Sequence, residues 1–330
     1  MRAVLQRTHA SWTDAAVETV DAPAAEPGHI VIDVKAASLN FADLLMMEGK
    51  YQHKASLPYV PGRDAAGIVR AVGPCVQDFR SGDRVIAMLN YGAFAQQASA
   101  PAYACRRLPD DLPFEMAAAC GTGIPTIVAA LELRTRLQPG EWVLVSGAAG
   151  GMGSLAVSYV RQMGAHCAAI VSSAEKAALV RDLGAELVIR NDTLSDTKDG
   201  LRFALQQHGV GQMNAAIDFV GGDLFDMMLR CLAPEGRLLI VGFASGRIPT
   251  IPANYLLLKD IAVIGSSITR LFTDGSEPFN SLCDAAYAHL AAGRLRTAID
   301  GRFDLKDFHA AARRLSDRRV MGKVILLPQR

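Results

Sequence analysis

The feature that most constrains this chain is an apolar run, a glycine-rich turn and an amphipathic helix pattern in direct succession. Residues 143–153 read VLVSGAAGGMG, and SLAVSYVRQMG follows. This order predicts a strand that enters a helix through a turn where an anion binds, because the first N–H groups of a helix have no acceptor within it. A tight turn without a ligand is the alternative, since Ala148 replaces the first glycine of the G-x-G-x-x-G pattern. We interpret the turn as a pyrophosphate site formed by Ala149, Gly150, Gly151, Met152 and Gly153.

The segment around this turn alternates between strand and helix patterns. Strand patterns cover 142–145, 166–171, 186–189, 215–220, 237–241 and 261–264, and helix patterns at 150–163, 174–183, 200–207 and 223–232 separate the first five of them. Such alternation predicts a parallel sheet with helices on both faces. We therefore expect a doubly wound Rossmann α/β domain over residues 119–269.

The flanking segments have a different pattern. Short β-like runs with turn signals fill residues 1–118, which predicts a mostly β domain. Residues 270–330 contain a helix pattern at 277–291, a strand near 300–303, a helix at 305–317 and a strand at 323–327. We expect this tail to rejoin the first domain, so that 1–118 and 270–330 form one unit.

Composition excludes several classes of protein. The formal net charge is +1 over 330 residues, which gives no reason to expect a nucleic acid or a membrane surface as partner. None of the six cysteines forms a C-x-x-C pair, and free thiols in a reducing compartment are expected. No signal-peptide pattern opens the chain, and no uninterrupted apolar run reaches about 18 residues. We expect a cytoplasmic protein, with Arg318 and Arg319 on a solvated helix face.

The strand after the turn indicates which dinucleotide binds. It ends at Ser172 and Ser173 and lacks the carboxylate that binds the ribose 2′-hydroxyl group of NAD. Lys176 follows within one helical turn. A charge-assisted contact from Lys176 to a 2′-phosphate is worth about 1.5–3 kcal/mol. The sequence therefore favours NADPH, and the alternative is that Lys176 is an ordinary surface residue.

Several motifs together resemble one protein family. AAGGMG (148–153), VSSAEK (171–176), DFVGGDLF (218–225), LNFADLLMMEGKY (39–51) and PYVPGRDAAGIV (58–69) are similar to the zinc-free quinone oxidoreductase branch of the medium-chain dehydrogenase/reductase superfamily. The resemblance implies a GroES-like catalytic domain beside the Rossmann domain, with the active site between them. It also implies NADPH-dependent reduction of quinones or other α,β-unsaturated carbonyl compounds by a homodimer that pairs sheet edges near 261–266.

The resemblance also assigns site residues. It implies catalytic roles for Asn40, Asp43 and Tyr51. Asn40 and Tyr51 are expected to form hydrogen bonds with the substrate or the nicotinamide. Asp43 is as readily explained by a structural role, in which it orients its neighbours. It places Thr126 beside the nicotinamide. The other residues expected at the cofactor follow strands or begin helices: Asn191, Val220, Gly221, Gly242, Phe243, Ala244, Ser266 and Lys323.

The same resemblance predicts that no metal is bound. Zinc-dependent relatives have a cysteine where this chain has Asn40 and a His-Glu pair where it has Arg63 and Asp64. Asn40 is a poor zinc ligand, and Arg63 cannot bind a cation. Without a Lewis acid, conjugated quinones and enones are better hydride acceptors than simple ketones, because hydrogen bonds suffice to stabilise their developing oxyanion.

Two alternatives stay open at this stage. One is reduction of an enoyl-CoA of the acrylyl-CoA type, for which Lys50, Lys54 and Arg270 would supply a basic rim. The other is an NADPH-binding protein without turnover. The segment 266–275 departs from the pattern of the branch, and it is a candidate lining of the substrate cleft.

Overall fold

The computed structural model describes residues 1–194, 199–268 and 277–329, and within them the chain forms two large sheets and one small one. The strands are β1 (Arg2–Leu5), β2 (Ala16–Thr19), β3 (His29–Leu39), β4 (Asp64–Val72), β5 (Arg84–Met88), β6 (Gln97–Pro101), β7 (Cys105–Arg107), β8 (Trp142–Val145), β9 (His166–Val171), β10 (Leu187–Arg190), β11 (Met213–Asp218), β12 (Leu232–Ile240), β13 (Ala262–Gly265), β14 (Ile299–Asp304) and β15 (Lys323–Leu327). The helices are α1 (Phe41–Met47), α2 (Phe114–Cys120), α3 (Gly123–Val128), α4 (Gly151–Gln162), α5 (Ala174–Asp182), α6 (Gly200–Gln207), α7 (Gly222–Leu229), α8 (Ala253–Lys259), α9 (Glu277–Ala291) and α10 (Phe308–Ser316).

The parallel sheet has the order β10-β9-β8-β11-β12-β13, which confirms the predicted Rossmann architecture. The chain moves outward in one direction from β8 and in the other from β11, so the strand order reverses between these two neighbours. Ligands of such sheets bind at the carboxyl ends of the strands beside this reversal. The predicted bounds of β8 and β9 are those observed, whereas β12 begins five residues earlier than predicted and α8 was not predicted.

The second large sheet is mostly antiparallel, with the order β14-β15-β3-β4-β5-β7, and β6 also pairs with β3. The C-terminal strands β14 and β15 join it through antiparallel pairing of β15 with β3. Helix α9 instead packs against α3, where Phe279, Cys283 and Tyr287 enter a core that both large sheets share. The tail therefore contacts both units, and the division at 118/119 and 269/270 stays a prediction.

Residues 114–134 connect the two sheets. They form α2, α3 and a π-helical turn over Ala129–Arg134. The helix is interrupted between α2 and α3 at Gly121, where a Cβ would lie 2.7 Å from the Asp64 carboxyl group. Among the described residues this stretch alone is long and apolar enough to span a membrane, and 78% of its most apolar window is buried inside the protein. Burial of this kind is that of a core helix.

Candidate active site

The glycine-rich turn lies at the carboxyl end of β8, beside the reversal of strand order. Gly150 precedes α4, and Gly147 adopts a positive φ of 56°. A Cβ on Gly153 would overlap the carbonyl oxygen of Gly147, so only glycine allows the helix to pack this closely on the turn. The first N–H groups of α4 begin at Gly151, in the position predicted for the pyrophosphate.

The neighbouring loop after β11 is held by two buried side chains that the sequence analysis missed. Ser146 Oγ donates to Asp218 Oδ1 over 2.6 Å, and the same carboxylate accepts from the backbone N–H groups of Val220 and Gly221. Asp218 is fully buried. This network fixes the two predicted cofactor residues Val220 and Gly221, and its only sequence signal is an acid at the end of an apolar strand.

The predicted 2′-phosphate site is built around Lys176. Its Nζ donates to Ser172 Oγ and to the backbone oxygen of Arg318, both over 3.1 Å, and Ser173 Oγ accepts from the Lys176 N–H as the N-cap of α5. Partial burial lowers the pKa of Lys176. Lys176 is therefore positioned at the tip of β9 rather than extended into solvent, with the backbone of Arg318 against it.

Arg318 does not lie on a helix face, contrary to the prediction from the sequence. Helix α10 ends at Ser316, and Arg318 follows with a positive φ of 58°. Its Nη2 donates to Ser245 O over 3.3 Å, directly after the loop of Gly242, Phe243 and Ala244. Its backbone oxygen, rather than its guanidinium, is the group that contacts Lys176.

Asn191 begins a short 3₁₀ turn after β10 and is exposed. Its neighbour Arg190 forms an ion pair with Asp192 over 2.6 Å, and both side chains are exposed. The charge of Arg190 is therefore compensated within the protein. We assign no part of the phosphate site to Arg190.

A buried polar network joins the two domains at Asn40. Lys323 Nζ donates to Asn40 Oδ1, and Asn40 Nδ2 donates to Asp64 Oδ2 over 2.8 Å. Lys323 is only 4% exposed and Asp64 is fully buried, and within the described part of the chain neither forms a direct salt bridge. The amide of Asn40 thus bridges a buried ammonium and a buried carboxylate.

The network continues into the cofactor domain in both directions. Asp64 Oδ1 accepts from the N–H of Thr122 over 2.8 Å and from its hydroxyl group, and Thr126 Oγ1 donates to Thr122 O over 2.7 Å. On the other side, a Cβ on Gly151 would lie 2.6 Å from Lys323 Cδ. Asn40 and Asp64 therefore link the glycine-rich turn to Thr126, the residue predicted to face the nicotinamide.

Asp43 supports this arrangement from inside α1. Its Oδ2 accepts from the Asn40 N–H over 2.7 Å, which completes a capping box at the start of the helix. The carboxyl group is 1% exposed, and its Oδ1 has no hydrogen-bond partner among the described residues. Burial raises the pKa of Asp43 to about 7. We place Asp43 as a positioning residue for Asn40.

Tyr51 is paired with a residue that the sequence analysis considered only for its failure to bind zinc. Arg63 Nη1 donates to the hydroxyl oxygen of Tyr51 over 3.0 Å, and its Nε donates to Leu89 O over 3.4 Å. Both side chains are half-buried. The Tyr51 O–H hydrogen is left for another acceptor, because its oxygen is the acceptor of the Arg63 bond.

The remaining predicted residues lie at the edges of the same region. The Ser266 N–H donates to Ile240 O over 3.1 Å, and the buried hydroxyl of Ser266 has no partner among the described residues. Phe243 is 37% exposed. Residues 269–276, with most of the predicted cleft loop and Arg270, lie outside the described residues.

A zinc ion does not fit this donor set. Zinc sites use cysteine, histidine or carboxylate ligands, and no group of three such side chains is positioned for a metal in the described residues. At the positions expected for zinc ligands, Asn40 binds Lys323 and Arg63 binds Tyr51. The Lys323 ammonium and the Arg63 guanidinium already bring positive charge to this place.

Comparison with known families gives the class of protein. Residues 26–110 match the alcohol dehydrogenase GroES-like domain, and residues 151–284 match the zinc-binding dehydrogenase domain. Together with the two observed sheets, these matches define a medium-chain dehydrogenase/reductase. The quinone oxidoreductase-like protein 2 of Rattus norvegicus is 33% identical over 303 residues, which cover 91% of this chain and 85% of that protein.

Solved structures show the same relationship. A mycobacterial protein complexed with NADPH superposes with a TM-score of 0.92 at 28% identity and covers 99% of this chain and 100% of its own. The quinone oxidoreductase of Escherichia coli complexed with NADPH has a TM-score of 0.88 at 27% identity, with coverage of 99% and 100%. The chain belongs to the quinone oxidoreductase family of the medium-chain dehydrogenase/reductase superfamily.

Proposed function

We propose that this protein is an NADPH-dependent oxidoreductase that transfers hydride, without zinc, to quinones and other α,β-unsaturated carbonyl compounds. The observation that carries the proposal is the continuous network from the glycine-rich turn through Lys323, Asn40 and Asp64 to Thr122. It joins the dinucleotide site to polar side chains of the second domain, where an acceptor would meet the nicotinamide.

NADPH is the proposed cofactor, and two solved structures similar to this chain contain it. When bound, it supplies the hydride. The start of α4 would hold its pyrophosphate, and Ser172 and Lys176 would hold the 2′-phosphate, because the Lys176 ammonium lies against the Ser172 hydroxyl at the tip of β9. Thr126 and Ser266 would lie at the nicotinamide end.

The side chains that face the acceptor provide hydrogen bonds and positive charge. Tyr51 has an O–H hydrogen to donate to a developing oxyanion, and Arg63 polarises that hydroxyl group. This assistance suits a conjugated acceptor, whose π system takes up the negative charge. An isolated ketone lacks that path and would need a Lewis acid.

A substrate panel tests the proposal. Oxidation of NADPH and of NADH would be followed with 1,4-benzoquinone, methyl vinyl ketone, crotonyl-CoA and cyclohexanone. We expect turnover of the first two with NADPH and none of cyclohexanone. Turnover of crotonyl-CoA alone would establish the enoyl-CoA reductase alternative, and tight NADPH binding without any turnover would establish a binding protein.

We also propose that two copies associate through the parallel sheet, in a cytoplasmic homodimer. Strand β13 lies at the edge of that sheet, and it pairs only with β12 among the described strands. The adjacent helix α8 exposes Leu257 by 84% and Leu258 by 76%. Open strand edges and exposed apolar patches favour association. Light scattering should give twice the mass of the chain, and Leu257→Glu should lower it.

A further inference from the structure

We propose that Arg63 makes this site selective for electron-poor alkenes that carry a carboxylate conjugated to the double bond. The inference rests on the proposed function and deepens it by naming a substrate class. It starts from an unusual property of Arg63: a half-buried guanidinium that has no carboxylate partner in the described part of the chain. Partial burial of a charged group without a carboxylate in direct contact is costly, so a guanidinium of this kind at a ligand cleft indicates an anionic ligand.

The hydrogen bonds of Arg63 leave its donor fork available. A guanidinium has five N–H groups, and two of them donate to Tyr51 and to Leu89 O. Both hydrogens of Nη2 and one of Nη1 have no acceptor among the described residues. A planar pair of donors of this kind matches the two oxygens of a carboxylate, which a lysine ammonium does not.

Arg63 also lies where the acceptor is expected. It directly precedes β4, whose first residue, Asp64, binds Asn40 and Thr122. The charges of Arg63 and Lys323 both act on the carboxyl group of Asp43 at the start of α1. Arg63 therefore lies next to the residue that binds Asn40, and its guanidinium is close enough to act on Asp43.

Tyr51 provides a further hydrogen-bond donor beside the guanidinium. Its hydroxyl oxygen lies 3.0 Å from Arg63 Nη1. A carboxylate oxygen accepts more than one hydrogen bond, so an oxygen bound by the guanidinium can also accept from the Tyr51 O–H. A neutral enone offers a single oxygen and leaves the guanidinium without its anion.

The positive charge of Arg63 would also favour hydride addition to such a substrate. Hydride addition to an alkene that already carries a carboxylate produces a second negative charge, and an adjacent cation offsets it. The alkene gains a hydride at its β carbon from NADPH, which is oxidised to NADP⁺, and the π electrons move onto the carboxylate oxygens. A proton from water then bonds to the α carbon and completes the reduced acid.

The nearby basic side chains are consistent with an anionic ligand. Lys54 and His53 are exposed on the segment after Tyr51, and His53 stacks on Tyr91. Lys50 is neutralised by Glu48 over 2.9 Å. Lys54 forms no salt bridge with a described residue, so this segment keeps a positive charge that Glu48 does not neutralise.

The test compares an acid with its neutral ester. The ratio of kcat/KM for 2-phenylacrylate over its methyl ester would be measured with NADPH for the wild type, Arg63→Met and Arg63→Lys. We expect the ratio to exceed 1 in the wild type, to fall about 10- to 100-fold in Arg63→Met, and to fall less in Arg63→Lys, which keeps the charge and loses the fork. Arg70→Met is the matched control, because Arg70 lies in β4 and pairs with Asp33 at the surface.

A binding measurement accompanies the kinetics. Calorimetry with NADP⁺-loaded protein should show 2-phenylpropanoate binding at least tenfold more weakly to Arg63→Met, with the methyl ester unaffected. An acid-to-ester ratio below 1, or equal losses for both compounds, would overturn the inference. Failure of the wild type to reduce 1,4-benzoquinone would instead contradict the proposed function, so the two failures are distinguishable.

Discussion

Lys323 donates a hydrogen bond to Oδ1 of Asn40, although the two residues lie 283 positions apart in the sequence. Lys323 begins the last strand, and its aliphatic chain lies against Gly151 at the start of α4. Asn40 in turn donates a hydrogen bond to the buried carboxylate of Asp64. The C-terminal strand thus holds the first catalytic candidate of the N-terminal domain against the cofactor turn.

Replacement of Lys323 should impair catalysis more than folding. In Lys323→Met the buried charge disappears and Asn40 loses the donor that orients it, so kcat/KM for 1,4-benzoquinone should fall roughly 10- to 100-fold, the value of one charged hydrogen bond. Steady-state kinetics and a melting temperature would be measured together. Lys306→Met, at an exposed lysine near Asp304, is the control. Unchanged kinetics would contradict the assigned role of Lys323.

The stability of the protein should depend on pH through Asp43. Burial raises its pKa from 3.8 to about 7 in the folded state, so folded protein keeps a proton that unfolded chain releases between these values. Stability should therefore fall as pH rises from about 4 to about 7, by up to about 4 kcal/mol. Urea unfolding at pH 5 and pH 8 measures this difference.

The matched variant for that measurement is Asp43→Asn. An amide keeps the acceptor for the Asn40 N–H but does not ionise, so the loss of stability between pH 5 and pH 8 should become smaller. Asp110→Asn, at an exposed acid, should leave the difference as it is. If Asp43→Asn has the same pH profile as the wild type, the carboxyl group does not titrate in this range.

A methyl group at Gly153 should disturb the turn. Its Cβ would overlap the Gly147 carbonyl oxygen and would lie 2.6 Å from Ala148 Cα, so α4 must move away from the turn. We expect Gly153→Ala to lower the free energy of unfolding by about 1–3 kcal/mol and to weaken NADPH binding at least tenfold, measured by fluorescence titration. Gly211→Ala meets nothing within 4 Å and serves as the control. Equal affinities in both variants would refute the placement of the cofactor.

The choice between the two nicotinamide cofactors should depend on Lys176. Loss of its ammonium in Lys176→Ala should raise the dissociation constant of NADPH roughly 10- to 100-fold and change that of NADH little. Titration of both cofactors measures this, with Lys259→Ala as an exposed control. Equal effects on the two cofactors would remove Lys176 from the 2′-phosphate site.

Metal analysis should find no stoichiometric zinc. Asn40 and Arg63 are engaged by Lys323 and Tyr51 and offer no ligand set. Prolonged treatment with a chelator should leave NADPH oxidation unchanged. One tightly held zinc per chain, lost together with activity, would overturn this prediction.

Local patterns of the sequence predict the parallel sheet well. Strands such as Trp142–Val145 and His166–Val171 are apolar runs that are buried in the sheet, and glycines or polar residues mark their ends. Helix α8 was missed because Leu257 and Leu258 are exposed, so its apolar residues do not form the inward stripe that identifies a helix.

The candidate site depends on contacts that no local pattern contains. The motif around Asn40 and Asp43 identifies both residues, but only the fold shows that Lys323 binds one of them. The sequence indicates only that Arg63 cannot bind zinc. Its hydrogen bond to Tyr51 depends on the fold, which brings two loops together. Such long-range polar contacts depend on strand register, which sequence periodicity does not specify.

The fate of the hydride tests the proposed reaction more directly than any other measurement. NADPH deuterated at both C4 positions would be incubated with the protein and methyl vinyl ketone, and the butanone formed would be examined by mass spectrometry and NMR. Hydride transfer from the nicotinamide should leave one deuterium per molecule, on the carbon that was the alkene terminus. Binding of NADPH without formation of butanone, or butanone without deuterium at that carbon, would contradict it.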